Sequence, residues 1–240
     1  GREVREFLED SLGDAGRERA CVVVATSDAA PLVRVRAASV ATSVAEWFRD
    51  RGAKVLLVMD SLTRVARAAR EVGLAAGEPP TRRGFPPSVF AMLPRLIERA
   101  GPGVRGSITA LYTVLVEGGD LDEPVADEAR SLLDGHAVLD RAIGATGRWP
   151  ALDVVRSLSR VMDAVVTPSH RAAASRVRAW MAALDAKRDL LAVGAYVKGS
   201  DRLLDEALER RDAIERFLRQ PVSERADFDD TLRRLEALAR

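Results

Sequence analysis

The apolar run from Val55 to Met59 in KVLLVMDSLTR ends at a carboxylate, Asp60. A rigid, buried strand with an acid at its mouth is one way to hold Mg²⁺, a hard cation that keeps several waters and needs few protein oxygens. The same acid also suits a turn or a helix cap, and the pattern alone leaves both readings open. The usual companion motif, G-x-x-x-x-G-K-[ST], cradles phosphates with backbone amides. It does not occur in these 240 residues, and the Lys198-Gly199 pair of VKGSD runs in the wrong order.

A second constellation lies in GRWPALDVVRSLSRVMD, residues 147–163. Trp149 beside Pro150 offers a flat face for a base. Arg156 and Arg160, on what reads as a helical segment, have the reach to touch a neighbour's phosphates, where an arginine is worth a large factor in phosphoryl transfer. A packing tryptophan and solvated arginines explain the same residues. His136 and His170 lie far apart without metal-ligand spacing and read as structural. Cys21, inside the apolar CVVVA, reads as a buried and inert thiol. No G-x-S-x-G or H-E-x-x-H occurs, so no hydrolytic triad or zinc site is expected.

These residues need elements to position them. EVREFLEDSLG has helical spacing and stops at Gly13, ACVVVATS reads as a buried strand, and VRVRAASVATSVAEWFRDRG reads as a helix closed by Gly52. A second buried strand, KVLLVMD, is followed by helical text from Leu62 to Val72. The prolines of GEPPTRRGFPPS make it a loop. SVFAMLPRLIERAG is a helix despite Pro94, GSITALYTVLVEG a third strand, and PVADEARSLLDG a helix with Pro124 in its first turn. Alternating strands and helices predict an α/β fold with a largely parallel sheet. Ligands in such sheets bind at the carboxyl ends of the strands. Asp28, Asp60 and the Glu117–Asp122 cluster are all expected at that edge. From about Val165 onward only helical spacing remains, ending in DFDDTLRRLEALAR with Asp227 as N-cap.

Totals bound the function. Lys and Arg number 37 against 36 Asp and Glu, which excludes a polybasic coat for nucleic acid. Hydrophobic residues make up 47%, enough for a core. The single cysteine excludes an internal disulfide, and no apolar run approaches the ~20 residues a spanning helix needs. No signal peptide is expected. The start at Gly1, without Met, reads as the start of a fragment.

MDSLTRVARAAREVGLAAGEPPTRRGFPPSVFAMLPRLIERAG closely resembles the export ATPases of type III secretion systems, flagellar and virulence-associated, as do the segments GSITALYTVLVEGGDLDEPVADEARSLLDGH, RWPALDVVRSLSRVMD and GAYVKGSD. The resemblance covers essentially the whole chain. It implies a partial RecA-like P-loop NTPase core over residues 1–165, Walker B to arginine finger, followed by an all-α C-terminal domain over 166–240. It implies ATP and Mg²⁺ as cofactors, and ATP hydrolysis that drives release and secretion of chaperone-bound substrates.

It also implies roles, residue by residue. Asp60 would hold Mg²⁺ through water, with Arg64 near that metal shell. Glu3, the acid of GREV, would orient metal-bound water. Arg160, in SLSR, would be the arginine finger serving an adjacent subunit. Trp149, before Pro150, would take the aromatic position against adenine. Implied partners are further copies in a hexameric ring, a stalk protein, a negative regulator, chaperone–substrate complexes and an export gate. Nucleic acid is not among them. The implied location is cytoplasmic, peripheral at the membrane-embedded export apparatus.

In that family the phosphate-binding loop and a catalytic Glu precede GREV, and a β-barrel domain precedes both. The expectation is therefore a truncated reading of a longer gene, unable to cradle a triphosphate by itself. Two other functions compete: a non-hydrolysing module that binds a stalk or chaperone through its C-terminal helices, and a rotary ATP synthase-type subunit. The GEPP…GFPPSVFAMLPRLIERAG run argues against the latter.

Overall fold

A computed structural model describes residues 2–240; Gly1, the first residue of the GREV segment, lies outside the described residues. In chain order the elements are α1 (Arg2–Glu6), a π-helical stretch (Phe7–Leu12), α2 (Gly13–Arg17), α3 (Pro31–Asp50), β1 (Lys54–Met59), α4 (Leu62–Ala75) and a 3₁₀ turn (Arg82–Gly84). Then come α5 (Pro87–Ile97), β2 (Gly101–Pro102), β3 (Ser107–Tyr112), α6 (Pro124–Leu132), β4 (Gly135–Leu139), α7 (Arg141–Ala145) and β5 (Leu152–Ser159). The chain closes with α8 (Met162–Val165), α9 (Pro168–Ala186), α10 (Arg188–Ala192), α11 (Arg202–Leu218) and α12 (Phe228–Leu238). The fold is α/β with a helical C-terminal part. It divides into two compact units, Gly1–Leu133 and Asp134–Arg240.

In the first unit β1 pairs in parallel with β3 from Lys54↔Ser107 to Met59↔Tyr112, and the short β2 adds an antiparallel edge to β3. Side chains alternate across a strand. Leu57, Met59 and Ile108 are buried against the helices. Ala45 of α3 covers Leu57 and Ile108, while Leu62, Val65, Val89, Leu93 and Val125 from α4, α5 and α6 complete the core. The apolar run of β1 is therefore buried on one face only, a correction to the expected buried strand. Leu56, Val58 and Leu111 are 62%, 60% and 57% exposed, because no described element covers that side.

Three further expectations are corrected. ACVVVATS forms no strand. Val22 to Val24 and Cys21 are exposed, since no described strand supplies hydrogen-bond partners there. Asp28 consequently ends no strand. It accepts the Thr26 hydroxyl in a turn, which lowers its carboxyl pKa. The first helical stretch breaks at Gly13, whose φ is 62° and ψ −177°, as expected, and the separate short α2 follows to Arg17.

Around Gly106 the backbone itself is the constraint. A Cβ there would lie 2.4 Å from the carbonyl oxygens of Ala53 and Arg49, so only glycine lets β3 begin beside the end of α3.

In the second unit β4 and β5 form an antiparallel pair, irregular between His136 and Val138. Residues 152–159 were expected to be helical. They are β5 instead, because β-branched Val154 and Val155 and the partner strand β4 outweigh the helical spacing of the arginines. The helices α9, α11 and α12 pack around Trp180, which is 0% exposed, with Val177, Ala207 and Ile214. Arg176 and Arg210 lie 5.1 and 4.8 Å from its ring centre. Asp227 caps α12 as expected, accepting from the amides of Asp229 and Asp230.

Candidate functional site

At the carboxyl end of β1 the chain turns sharply through Asp60, Ser61, Leu62 and Thr63. β1 and β3 stay joined past their last strand residues. The Thr113 amide donates to the Met59 carbonyl at 3.1 Å, and the Leu62 amide to the Thr113 carbonyl at 2.9 Å. Thr63 Oγ1 accepts from the Leu115 amide at 2.8 Å. This backbone lacing fixes Asp60 at the mouth of the parallel pair. Thr113 Oγ1 donates to Asp60 Oδ1 at 2.8 Å. The hydroxyl orients the carboxylate, which remains exposed to solvent.

Ser61 is buried and is the N-cap of α4, its hydroxyl accepting from the Arg64 amide at 3.2 Å. Arg64 thus rises from the first helical turn after Asp60, with its side chain exposed. The cap could be foreseen from a serine just before an apolar periodic segment. Thr113 could not, because it stands 53 residues away along the chain.

The acidic cluster after β3 is committed elsewhere. Arg67 binds Glu117 at 2.9 Å and Arg83 binds Asp120 at 2.8 Å, while Arg130 stands 3.7 Å from Asp122. The Arg83 guanidinium, helped by the Asp122 amide, holds the Asp120 carboxyl below its usual range. Among the described residues no group of three or more His, Cys, Asp or Glu could hold a metal ion. Glu3, exposed on α1, therefore forms no ready-made cage with Asp60. The donor set fits Mg²⁺ held through water by a single carboxylate. It does not fit a metal held by the protein alone.

The other sequence candidates belong to the second unit. Trp149 and Pro150 lie in the loop between α7 and β5, with Trp149 61% exposed. The Gln220 amide donates to the Trp149 carbonyl at 2.9 Å. Arg160 follows β5 directly, and its amide donates to the Asp134 carbonyl at 2.7 Å, tethering it to the start of β4. Arg156 reaches Asp140 at 3.4 Å. His136 Nε2 lies 3.1 Å from the Arg156 carbonyl oxygen, a strand-to-strand contact rather than a metal position.

A sequence profile of the ATP synthase alpha/beta family, nucleotide-binding domain, matches residues 1–159. The chain belongs to the ATP synthase alpha/beta family. Residues 166–237 match the C-terminal domain of the T3SS EscN ATPase. The "Type 3 secretion system ATPase" of Xanthomonas euvesicatoria is 56% identical over 99% of this chain and 54% of its own length. The "Flagellum-specific ATP synthase" of Salmonella typhimurium is 51% identical over 99% of this chain and 53% of its own.

Among solved structures, the assembled ATPase EscN from the type III secretion system of enteropathogenic E. coli superposes with a TM-score of 0.95 at 46% identity. It covers all of this chain and 58% of EscN. EscN bound to its central stalk EscO gives a TM-score of 0.89. The chain thus spans about half the length of the curated relatives it matches.

Proposed function

We propose that this chain is the Walker B-to-C-terminal part of the ATPase of a type III protein export apparatus, flagellar or injectisome. The complete protein hydrolyses ATP to release chaperone-bound substrates for secretion. The observation that carries the reading is Asp60, oriented by Thr113 at the carboxyl end of a parallel strand pair. Ligands of open α/β sheets sit at that edge.

Mg²⁺ would neutralise charge on the phosphates. Asp60 would hold that ion through water, and Glu3 would orient metal-bound water. Arg64 balances the charge beside them. Trp149, backed by Pro150, stacks on adenine. Arg160 serves the site of an adjacent subunit in a hexameric ring. We assign residues 1–165 to the RecA-like core and 166–240 to the helical domain. Support comes from the two family profiles, which end at 159 and begin at 166.

The proposed partners are further copies of the chain, a stalk, a negative regulator, chaperone–substrate complexes and the export gate. The proposed location is the cytoplasmic face of the membrane. A second reading rests on the lack of a G-x-x-x-x-G-K-[ST] sequence in these 240 residues. In it the isolated chain is a non-hydrolysing module that binds a stalk or chaperone.

Phosphate release tests both. In a full-length ATPase carrying this chain, Arg160→Ala lowers turnover about 10³-fold while nucleotide still binds. Loss of binding together with turnover would remove the role in a neighbour's site. Asp60→Asn weakens binding only in the presence of Mg²⁺, and equal wild-type affinity with and without Mg²⁺ overturns that assignment. Turnover by the 240-residue chain alone rules out the purely non-hydrolysing module.

A further inference from the structure

The second unit contains a buried guanidinium whose ion-pair partner stands beyond hydrogen-bond distance. Arg148 is 7% exposed, and its Nη1 has no hydrogen-bond partner among the described residues. The group facing Nη1 is Glu215 Oε1, 3.8 Å away in the last turn of α11. A buried charge is tolerated where it is paired, and an open pair is poised to close.

Arg148 directly precedes Trp149, which is held at two further points, its backbone carbonyl and its ring edge. The Gln220 amide, two residues beyond the end of α11, donates to the Trp149 carbonyl at 2.9 Å. The ring edge lies over the bare backbone of Gly144 in α7. A Cβ there would stand 3.2 Å from Cη2 and 3.4 Å from Cζ2. The far face of the ring stays open, with Trp149 61% exposed. Both ties to the loop therefore come from the C-terminal end of one helix, while the aromatic face they orient points to solvent.

We propose that Arg148 and Glu215 are positioning residues. Their ion pair ties the end of α11 to the loop carrying Trp149, and so sets the pose in which the indole receives a purine base. The proposal rests on the reading of Trp149 as a base contact. A shift of about 1 Å brings the pair to hydrogen-bond distance. Closing the pair and stacking a base on Trp149 then favour one another equally, as linkage requires. The base site thereby gains a lever in the helical C-terminal region.

The chain has three tryptophans, so ¹⁹F NMR with 5-fluorotryptophan resolves them, Trp149 being assigned by Trp149→Phe. Arg148→Met and Glu215→Gln are expected to move or broaden the Trp149 line. The line of fully buried Trp180 stays in place, and Arg148→Lys, which keeps the charge, returns the Trp149 line most of the way. In the full-length ATPase the same two variants raise KM for ATP about fivefold with kcat unchanged.

A residue that only packs would lower the melting temperature and leave the Trp149 line and KM alone. That result, or a fall in kcat at constant KM, overturns the proposal. If Arg148→Met also loses the Trp180 line, the chain has not folded, and half-exposed Glu215 decides through Glu215→Gln. Trp149→Ala with unchanged KM overturns the base contact itself. The NMR arm reports on the Arg148–Glu215 tie independently, so the two failures are told apart.

Discussion

Asp60 and Tyr112 stand at neighbouring strand ends and face opposite environments. The carboxylate is exposed and oriented by one hydroxyl. Tyr112 is half-buried with its hydroxyl turned inward, the hydroxyl has no partner among the described residues, and burial pushes its pKa up. A buried polar group without a hydrogen bond costs about 1–3 kcal/mol of desolvation. Tyr112→Phe removes that penalty at almost unchanged shape. It is expected to raise unfolding stability in urea by about 1 kcal/mol. A loss of stability would show that the hydroxyl has a partner in solution. The contrast is physical: the acid that could act on a ligand keeps its water, while the phenol beside it has given its water up.

At the scale of elements, the layer of helices is clasped by Glu46 and Arg99. Arg99, just past α5, donates from Nε to Glu46 Oε1 at 2.9 Å and from Nη2 to the Ser43 hydroxyl at 2.7 Å. This binds α3 to the end of α5. The side chains are only 26% and 29% exposed, so the pair is less screened than a surface bridge. The Arg99 hydrogen bond holds the Glu46 carboxyl below its ordinary value of 4.5.

A depressed carboxyl pKa contributes stability above the unfolded-state value and loses it as pH falls through the folded one. Glu46→Gln should therefore lower stability by about 1–2 kcal/mol at pH 7. The difference from wild type should close as pH falls below 4.5, in denaturation curves taken across that range. A deficit that persists unchanged into acid would mean that packing, not the charge, makes the clasp.

Across the first unit as a whole, every helix of the core lies on one face of the β1–β3 sheet. Parallel strands in α/β proteins ordinarily have both faces covered. Here Leu56, Val58 and Leu111 face solvent, and β1 is an edge strand of its sheet. Exposed apolar faces and unpaired edges are where chains associate non-specifically. The isolated 240-residue chain is expected to bind the dye ANS at this face. The pair Leu56→Thr and Val58→Thr should lower dye binding and raise solubility without loss of far-UV helical signal. Dye binding equal to wild type in the double variant would place the accessible apolar surface elsewhere.

Periodicity and punctuation in the sequence determined the helices α3 to α6, the strands β1 and β3, the all-helical stretch after Val165 and the Asp227 cap. Those signals are local: side-chain spacing, proline, glycine and a capping acid act within a few residues. The resemblance of long motifs to one family suggested roles for Asp60, Arg64, Trp149 and Arg160.

Only the tertiary structure decided what depends on neighbours distant in the chain. CVVVA is not a strand, because nothing described pairs with it. Residues 152–159 are β5, because β4 lies alongside. The Glu117–Asp122 acids are spent on Arg67, Arg83 and Arg130. Thr113 orients Asp60, and Arg148 faces Glu215, from positions 53 and 67 residues apart along the chain. Hydrogen bonds and desolvation depend on which atoms meet in space, and local sequence carries no record of a partner folded in from so far away.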